Sequence, residues 1–155
     1  SIPVIFLILI FMQITTGAFV SGMDAGKIYN SWPLMGASYF PNDNNFIDLF
    51  NFSAFSEPSL VQFMHRNLAY IICLFYLFLL IKIYINNLSK FYFAINILGL
   101  VLLIQVLLGI FTLTHNAQLM LSSMHQITSI FLVSTSVYLL YLNSKSSKHH
   151  SNQLF

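Results

Sequence analysis

Phe91-Tyr-Phe-Ala-Ile-Asn-Ile-Leu-Gly-Leu-Val-Leu-Leu-Ile-Gln-Val-Leu-Leu-Gly-Ile-Phe-Thr-Leu113 carries no charged side chain from one end to the other. A helix needs about 20 such residues to cross a bilayer. In hydrocarbon every backbone N–H and C=O must be satisfied within the segment, so the run reads as a helix and not a strand. Three more stretches are mostly apolar over about that length: Ile2–Val20, His65–Ile85 and His125–Leu142. Composition agrees. Of the 155 residues, 57% are hydrophobic and only 6% charged, against about 25% charged in a water-soluble domain. Six Lys+Arg and four Asp+Glu cannot cover a water-facing surface at this size. The expected fold class is an all-α integral membrane protein, a four-transmembrane-helix bundle whose main partner is membrane lipid.

The connections set the organisation. Residues 1–143 form one bundle, with a long loop over 21–64 and a polar tail over 144–155. The loop holds Gly22, Gly26, Pro33, Gly36, Pro41, Pro58 and the cluster Asn42-Asp43-Asn44-Asn45, all turn-forming residues. Lys82 and Lys90 flank the short link 86–90, and Lys145 and Lys148 lie in the tail. The long loop sets Asp24, Asp43, Asp48 and Glu57 against Lys27 alone. Positive residues favour the cytoplasmic or matrix side. The link and tail are therefore expected inside, and the long loop in the periplasm or intermembrane space, of a bacterial or mitochondrial inner membrane. Ser1 opens the chain already within an apolar run. That run lacks a basic start and is longer than a secretion signal's apolar core, so it reads as a spanning helix of a fragment or processed chain.

The two halves of the sequence echo each other. The first spanning segment ends in Gln13-Ile-Thr-Thr-Gly17-Ala-Phe19 and the third in Gln105-Val-Leu-Leu-Gly109-Ile-Phe111. The second opens on Met64-His65 and the fourth on Met124-His125. Each half thus reads as a helical hairpin with a histidine at the outer start of its second helix, an architecture of repeated hairpins. Ionisable groups at membrane depth point to function. Helices two and four run parallel and can lie diagonally across a bundle, whose core commonly hosts a cofactor. Two neutral imidazoles suit the iron of a non-covalent haem, whereas zinc takes about four ligands. A histidine that merely bonds a neighbouring helix is the plain alternative.

Other side chains leave choices open. Gln13 and Gln105 can bond a neighbouring helix or a cofactor edge. Gly17, Gly22, Gly26, Gly99 and Gly109 can admit a flat macrocycle or a helix backbone. Arg66 can pair a haem propionate, reach out to water, or pair Glu57 or Asp24. Tyr29, Trp32 and Tyr39 suit an interfacial aromatic belt. His115 is expected to be exposed and His149-His150 to belong to a solvated end. Cys73, alone in the chain, excludes an internal disulfide and reads as a buried, inert thiol. A net charge of +2 without a basic cluster gives no footing for nucleic acid.

Longer motifs carry a family resemblance. Gly17-Ala-Phe-Val-Ser-Gly-Met-Asp-Ala-Gly-Lys-Ile-Tyr-Asn-Ser-Trp-Pro-Leu-Met35, Gln62-Phe-Met-His-Arg66, Gln105-Val-Leu-Leu-Gly-Ile-Phe-Thr-Leu113 and His125-Gln126 resemble, in order and spacing, motifs of the haem A synthase family. The likeness runs from about Gly17 to Leu142. It implies a protein of two similar four-helix halves, of which this chain matches the C-terminal one. It implies oxidation of the haem O ring methyl to the formyl of haem A, for cytochrome c oxidase assembly. It also implies a haem b in this half, bound through iron by His65 and His125; Arg66 and Gln105, from their own positions, are further candidates to bind it.

The implied partners are the missing N-terminal half, a haem O synthase and an electron donor. The substrate haem and a loop glutamate belong to the absent half, so no catalytic residue is assigned here. Asp24 is expected to shape the loop, and neither it nor Glu57 reads as the catalytic acid. Thr114–Met124 lacks a proline that many relatives carry, which leaves its turn geometry open. The rival readings are a stand-alone b-type cytochrome and a haem-free structural subunit. A second four-span repeat upstream would favour the synthase over the cytochrome.

Overall fold

Four long helices, α1 (Ile2–Gly22), α2 (Pro58–Ile85), α3 (Tyr92–Thr114) and α4 (Leu119–Ser147), account for most of the computed structural model. The structure describes residues 1–147; the tail lysine Lys148 and the pair His149-His150 lie outside the described residues. Each of the four helices is long and apolar enough to cross a membrane. Among the described residues there is no named β-strand, only an isolated bridge between Met35 and Ser38. The protein is an all-helical integral membrane bundle.

Each helix packs on its neighbours in chain order, and α4 closes the ring on α1. α2 and α4 therefore lie across a diagonal. The apolar core fills the end of the bundle near the short α2–α3 link. Phe6 and Ile10 of α1 meet Ile72, Leu79 and Ile83 of α2, Ala94, Ile95 and Leu98 of α3, and Leu132 and Leu139 of α4. Large apolar side chains also cover the outside, among them Ile8, Phe11, Leu74, Leu103, Ile127 and Phe131. Helices apolar all round are stable only when lipid is the solvent. Gly99 lets α2 and α3 approach closely, because a methyl group there would collide with the Tyr76 hydroxyl.

Helix limits depart from the apolar runs. α2 starts at Pro58 and α4 at Leu119, well before His65 and His125, and α4 continues past Leu142. Hydrocarbon dictates apolarity only where a helix crosses it, so a helix can run on into the polar interface until a breaker intervenes. Pro58 suits the first turn, where its missing N–H would be unsatisfied in any case. The histidines consequently sit about two turns inside their helices, not at the ends.

α2 and α3 end alike. Leu88 N–H reaches Ile83 O (3.0 Å) and Asn87 N–H reaches Tyr84 O (3.1 Å), with Asn87 left-handed at φ 51°. Ala117 N–H reaches Thr112 O (2.8 Å) and Asn116 N–H reaches Leu113 O (3.2 Å), with Asn116 at φ 56°. These are Schellman closures with asparagine in the left-handed position that it tolerates. They settle the turn after α3 without a proline. Along α4 the hydroxyls of Thr128, Ser134, Thr135 and Ser136 donate back to the carbonyls of Met124, Ile130, Phe131 and Leu132. Those bonds satisfy donors that lipid could not.

The long loop folds back over the α2 start through short 3-10 turns at Ala25–Lys27, Phe46–Phe50 and Phe52–Ser56. Asn30 Nδ2 ties it to α3, donating to Gly26 O and Leu113 O, both at 2.9 Å. Asp24 is left-handed and pairs with Lys27 at 2.8 Å. Tyr29 donates its hydroxyl to Asp43 at 3.0 Å. Burial works to raise the Asp43 carboxyl, but hydrogen bonds from Ser59 and Tyr29 outweigh it and hold the group below its usual value. Tyr29 is pushed up, by burial first and then by Asp43.

A carboxyl depressed in the folded loop stabilises it above the unfolded pKa, about 3.9. That contribution is lost as pH falls through the lower folded value. Acidification below about pH 4 is therefore expected to lower the amide-exchange protection factors over residues 42–59, and to lower them less in Tyr29→Phe, whose protection is already reduced at neutral pH. Protection factors in that segment that ignore pH would contradict the assignment.

Candidate functional site

The end of the bundle opposite the apolar core is polar inside. There, α1 and α3 each present glutamine and glycine on one face, Gln13 with Gly17 and Gln105 with Gly109, one helical turn apart. His65 of α2 packs on the first pair. A Cβ built on Gly17 would stand 3.0 Å from His65 Cε1, and one on Gly109 would stand 3.0 Å from His125 Cε1. Each imidazole thus lies against bare backbone of the adjacent helix, where any side chain would push it away.

Around His65 the hydrogen bonds are complete. Gln13 Nε2 donates to His65 O at 3.1 Å and lies 3.2 Å from His65 Nε2. Thr16 Oγ1 lies 3.0 Å from His65 Nδ1 and also donates to Gln13 O at 3.0 Å. His125 differs: its Nδ1 is buried and makes no hydrogen bond. Gln13 Oε1, Gln105 Oε1 and Thr112 Oγ1 are likewise buried without partners. A buried unpaired polar atom costs about 1–3 kcal/mol, so several in one region of a packed bundle suit a site completed by a bound group with polar edges.

Arg66 does not pair with Asp24 or Glu57. Its guanidinium donates to three loop carbonyls, Tyr29 O (2.8 Å), Ser31 O (2.9 Å) and Leu34 O (3.3 Å). Only Nε is left without a partner. Gln62, one turn earlier on the same face, donates to Tyr29 O at 3.1 Å. Trp32 donates to the Tyr70 hydroxyl and Tyr39 donates to Asn67, so both ring systems are anchored to α2. His115 is exposed, with Nδ1 2.9 Å from Phe111 O. Cys73 is half-buried beside the apolar core.

Thr16 and Asn30 were not singled out by sequence reasoning. Thr16 had a signal, lying three residues after Gln13 and directly before Gly17, on the face that carries both. Among the described residues no group of three or more His, Cys, Asp or Glu could hold a bare metal ion.

The class is a polytopic helical membrane protein with a histidine on each of two diagonal helices, seated against glycine. The chain belongs to the cytochrome oxidase assembly protein family that includes the haem A synthases, whose family model matches residues 2–137. It is 42% identical over 148 residues to the haem A synthase of Pelagibacter ubique (strain HTCC1062), which covers 93% of this chain and 44% of that protein. It is 39% identical over 147 residues to the haem A synthase of Rickettsia bellii (strain OSU 85-389), covering 89% and 42%. It is 39% identical over 137 residues to that of Flavobacterium johnsoniae, covering 86% and 40%. The chain thus spans less than half the length of the curated relatives it matches. No solved structure matches it.

Proposed function

We propose that this chain is the haem b-holding, C-terminal half of a haem A synthase, in which His65 and His125 would hold the haem iron. The observation that carries the reading is the matched seating of two imidazoles, on diagonal helices, each 3.0 Å from where a side chain would start on Gly17 or Gly109. The orphaned oxygens of Gln13, Gln105 and Thr112 fit a group with polar edges. A haem bound there would supply reversible one-electron iron chemistry. In the whole protein the reaction is oxidation of the haem O methyl to the formyl of haem A, serving cytochrome c oxidase assembly. That change withdraws electrons, which this half would help carry away.

The residues here bind and orient. His65 and His125 would hold the haem iron from α2 and α4. Gly17 and Gly109 admit the rings, and the apolar core behind them excludes water. Arg66 pins the loop lid, leaving Nε as the donor nearest to hand for a carboxylate edge. The lysines beside the short link favour the periplasmic or intermembrane-space side for the long loop, and the expected partners are the other half of the synthase and a haem O synthase or an electron donor.

A reduced-minus-oxidised absorption spectrum of the detergent-purified chain, with pyridine haemochrome identification, tests the reading. A low-spin b-type signal at one haem per chain is expected. A chain that takes up no haem under haem-replete expression would overturn it. Attachment of a second four-helix repeat, restoring haem A formation in cells, separates the synthase from a stand-alone cytochrome.

A further inference from the structure

The bonds around His65 identify which ring nitrogen carries the proton. Gln13 Nε2 lies 3.1 Å from His65 O. A carbonyl only accepts, so the amide nitrogen, and not the oxygen, faces α2. That nitrogen has only hydrogens to offer, so His65 Nε2, 3.2 Å away, must present its lone pair. A neutral ring then has its proton on Nδ1, 3.0 Å from Thr16 Oγ1. Thr16 accepts that proton's bond because its own hydrogen is already given to Gln13 O, at 3.0 Å. Every donor in this chain of bonds meets an acceptor, and the opposite tautomer would set N–H against N–H at Gln13.

The second ring lacks this device. Aligning Gln13 and Gly17 with Gln105 and Gly109 puts Leu108 where Thr16 stands. Leucine has no hydroxyl, and His125 Nδ1 is buried without a hydrogen bond. We propose that Thr16 is a positioning residue that holds His65 with its proton on Nδ1 and its lone pair on Nε2, and that Leu108 leaves His125 without this support, so the two histidines are unequal ligands. The proposal rests on the haem-binding reading for its consequence, since Nε2, once the Gln13 amide releases its lone pair, is the atom that would hold the iron. An acceptor on the far nitrogen makes an imidazole a stronger donor and favours ferric iron. His65 is therefore the stronger of the two ligands.

Nitrogen-15 NMR of the full, haem-free chain in detergent tests the assignment without any cofactor. The His65 proton is expected on Nδ1, with that resonance shifted and exchanging faster in Thr16→Val and restored in Thr16→Ser. A proton on Nε2, or a Thr16→Val spectrum identical to the parent, would overturn the proposal. With iron protoporphyrin IX added, the midpoint potential is expected to rise in Thr16→Val, return in Thr16→Ser, and fall in Leu108→Thr. Potentials that do not move in either direction would refute the unequal-ligand consequence. Failure of the parent chain to take up haem would sink the haem-binding reading alone, with the tautomer still decided by NMR.

Discussion

Chains carrying His65→Ala or His125→Ala are expected to lose the low-spin haem spectrum, each by itself. On the proposed reading, removing one imidazole would leave the haem iron with a single protein ligand. The penalty should exceed the roughly 10- to 100-fold in affinity that losing an outer-shell partner costs. Any haem retained should be high-spin, because the vacated position is filled by water or left open. A gentler change reaches the same ligands from behind. In Gly17→Ala and Gly109→Ala the new methyl group meets the ring at 3.0 Å and forces it to move. Overpacking of this kind costs about 1–3 kcal/mol, or roughly 5- to 150-fold in haem retention. Haem titration with spectral readout measures both. If both histidine variants kept the parent spectrum, the imidazoles would be helix-bonding groups and no more.

Arg66→Ala is expected to release the long loop while leaving the four spans intact. The guanidinium reaches Tyr29, Ser31 and Leu34 backbone at once, and no carboxylate competes for it. A hydrogen bond from a charged group contributes about 1.5–3 kcal/mol. The three share one side chain and do not add, so a loss of about 3 kcal/mol in loop docking is a fair scale. Gln62 still holds Tyr29 O, so opening should spread from Ser31 toward Phe40. Lysine at this position offers a point charge and not a planar fork, and should recover only part of the effect. Limited proteolysis of residues 28–57 reads the result. Cleavage no faster than in the parent would remove Arg66 from this role.

Much of this was legible in the sequence because lipid removes ambiguity. An uncharged run such as Phe91–Leu113 has only one stable backbone solution in hydrocarbon. The same logic stops at the interface, so it marked where apolarity ends near His65 and His125 and not where α2 and α4 begin. Pro58 was the missed sign of a helix start. The loop was legible as a loop and no further. Arg66 binds carbonyls, which every residue has, so no side-chain pattern announces its partners. Thr16 was visible in the Gln-x-x-x-Gly spacing, yet the spacing alone does not say that a hydroxyl there meets a ring nitrogen.

The hydroxyls along α4 bear on how the chain is made. α4 is the least apolar of the four spans, and Thr128, Ser134, Thr135 and Ser136 close bonds onto its own carbonyls. Such a segment partitions weakly on leaving the translocon. α3, the most apolar span, precedes it by one tight turn and packs along it. The two should therefore enter the bilayer together as a unit. A shortened α3 would then strand His125 on the wrong side of the membrane, although α4 itself was untouched.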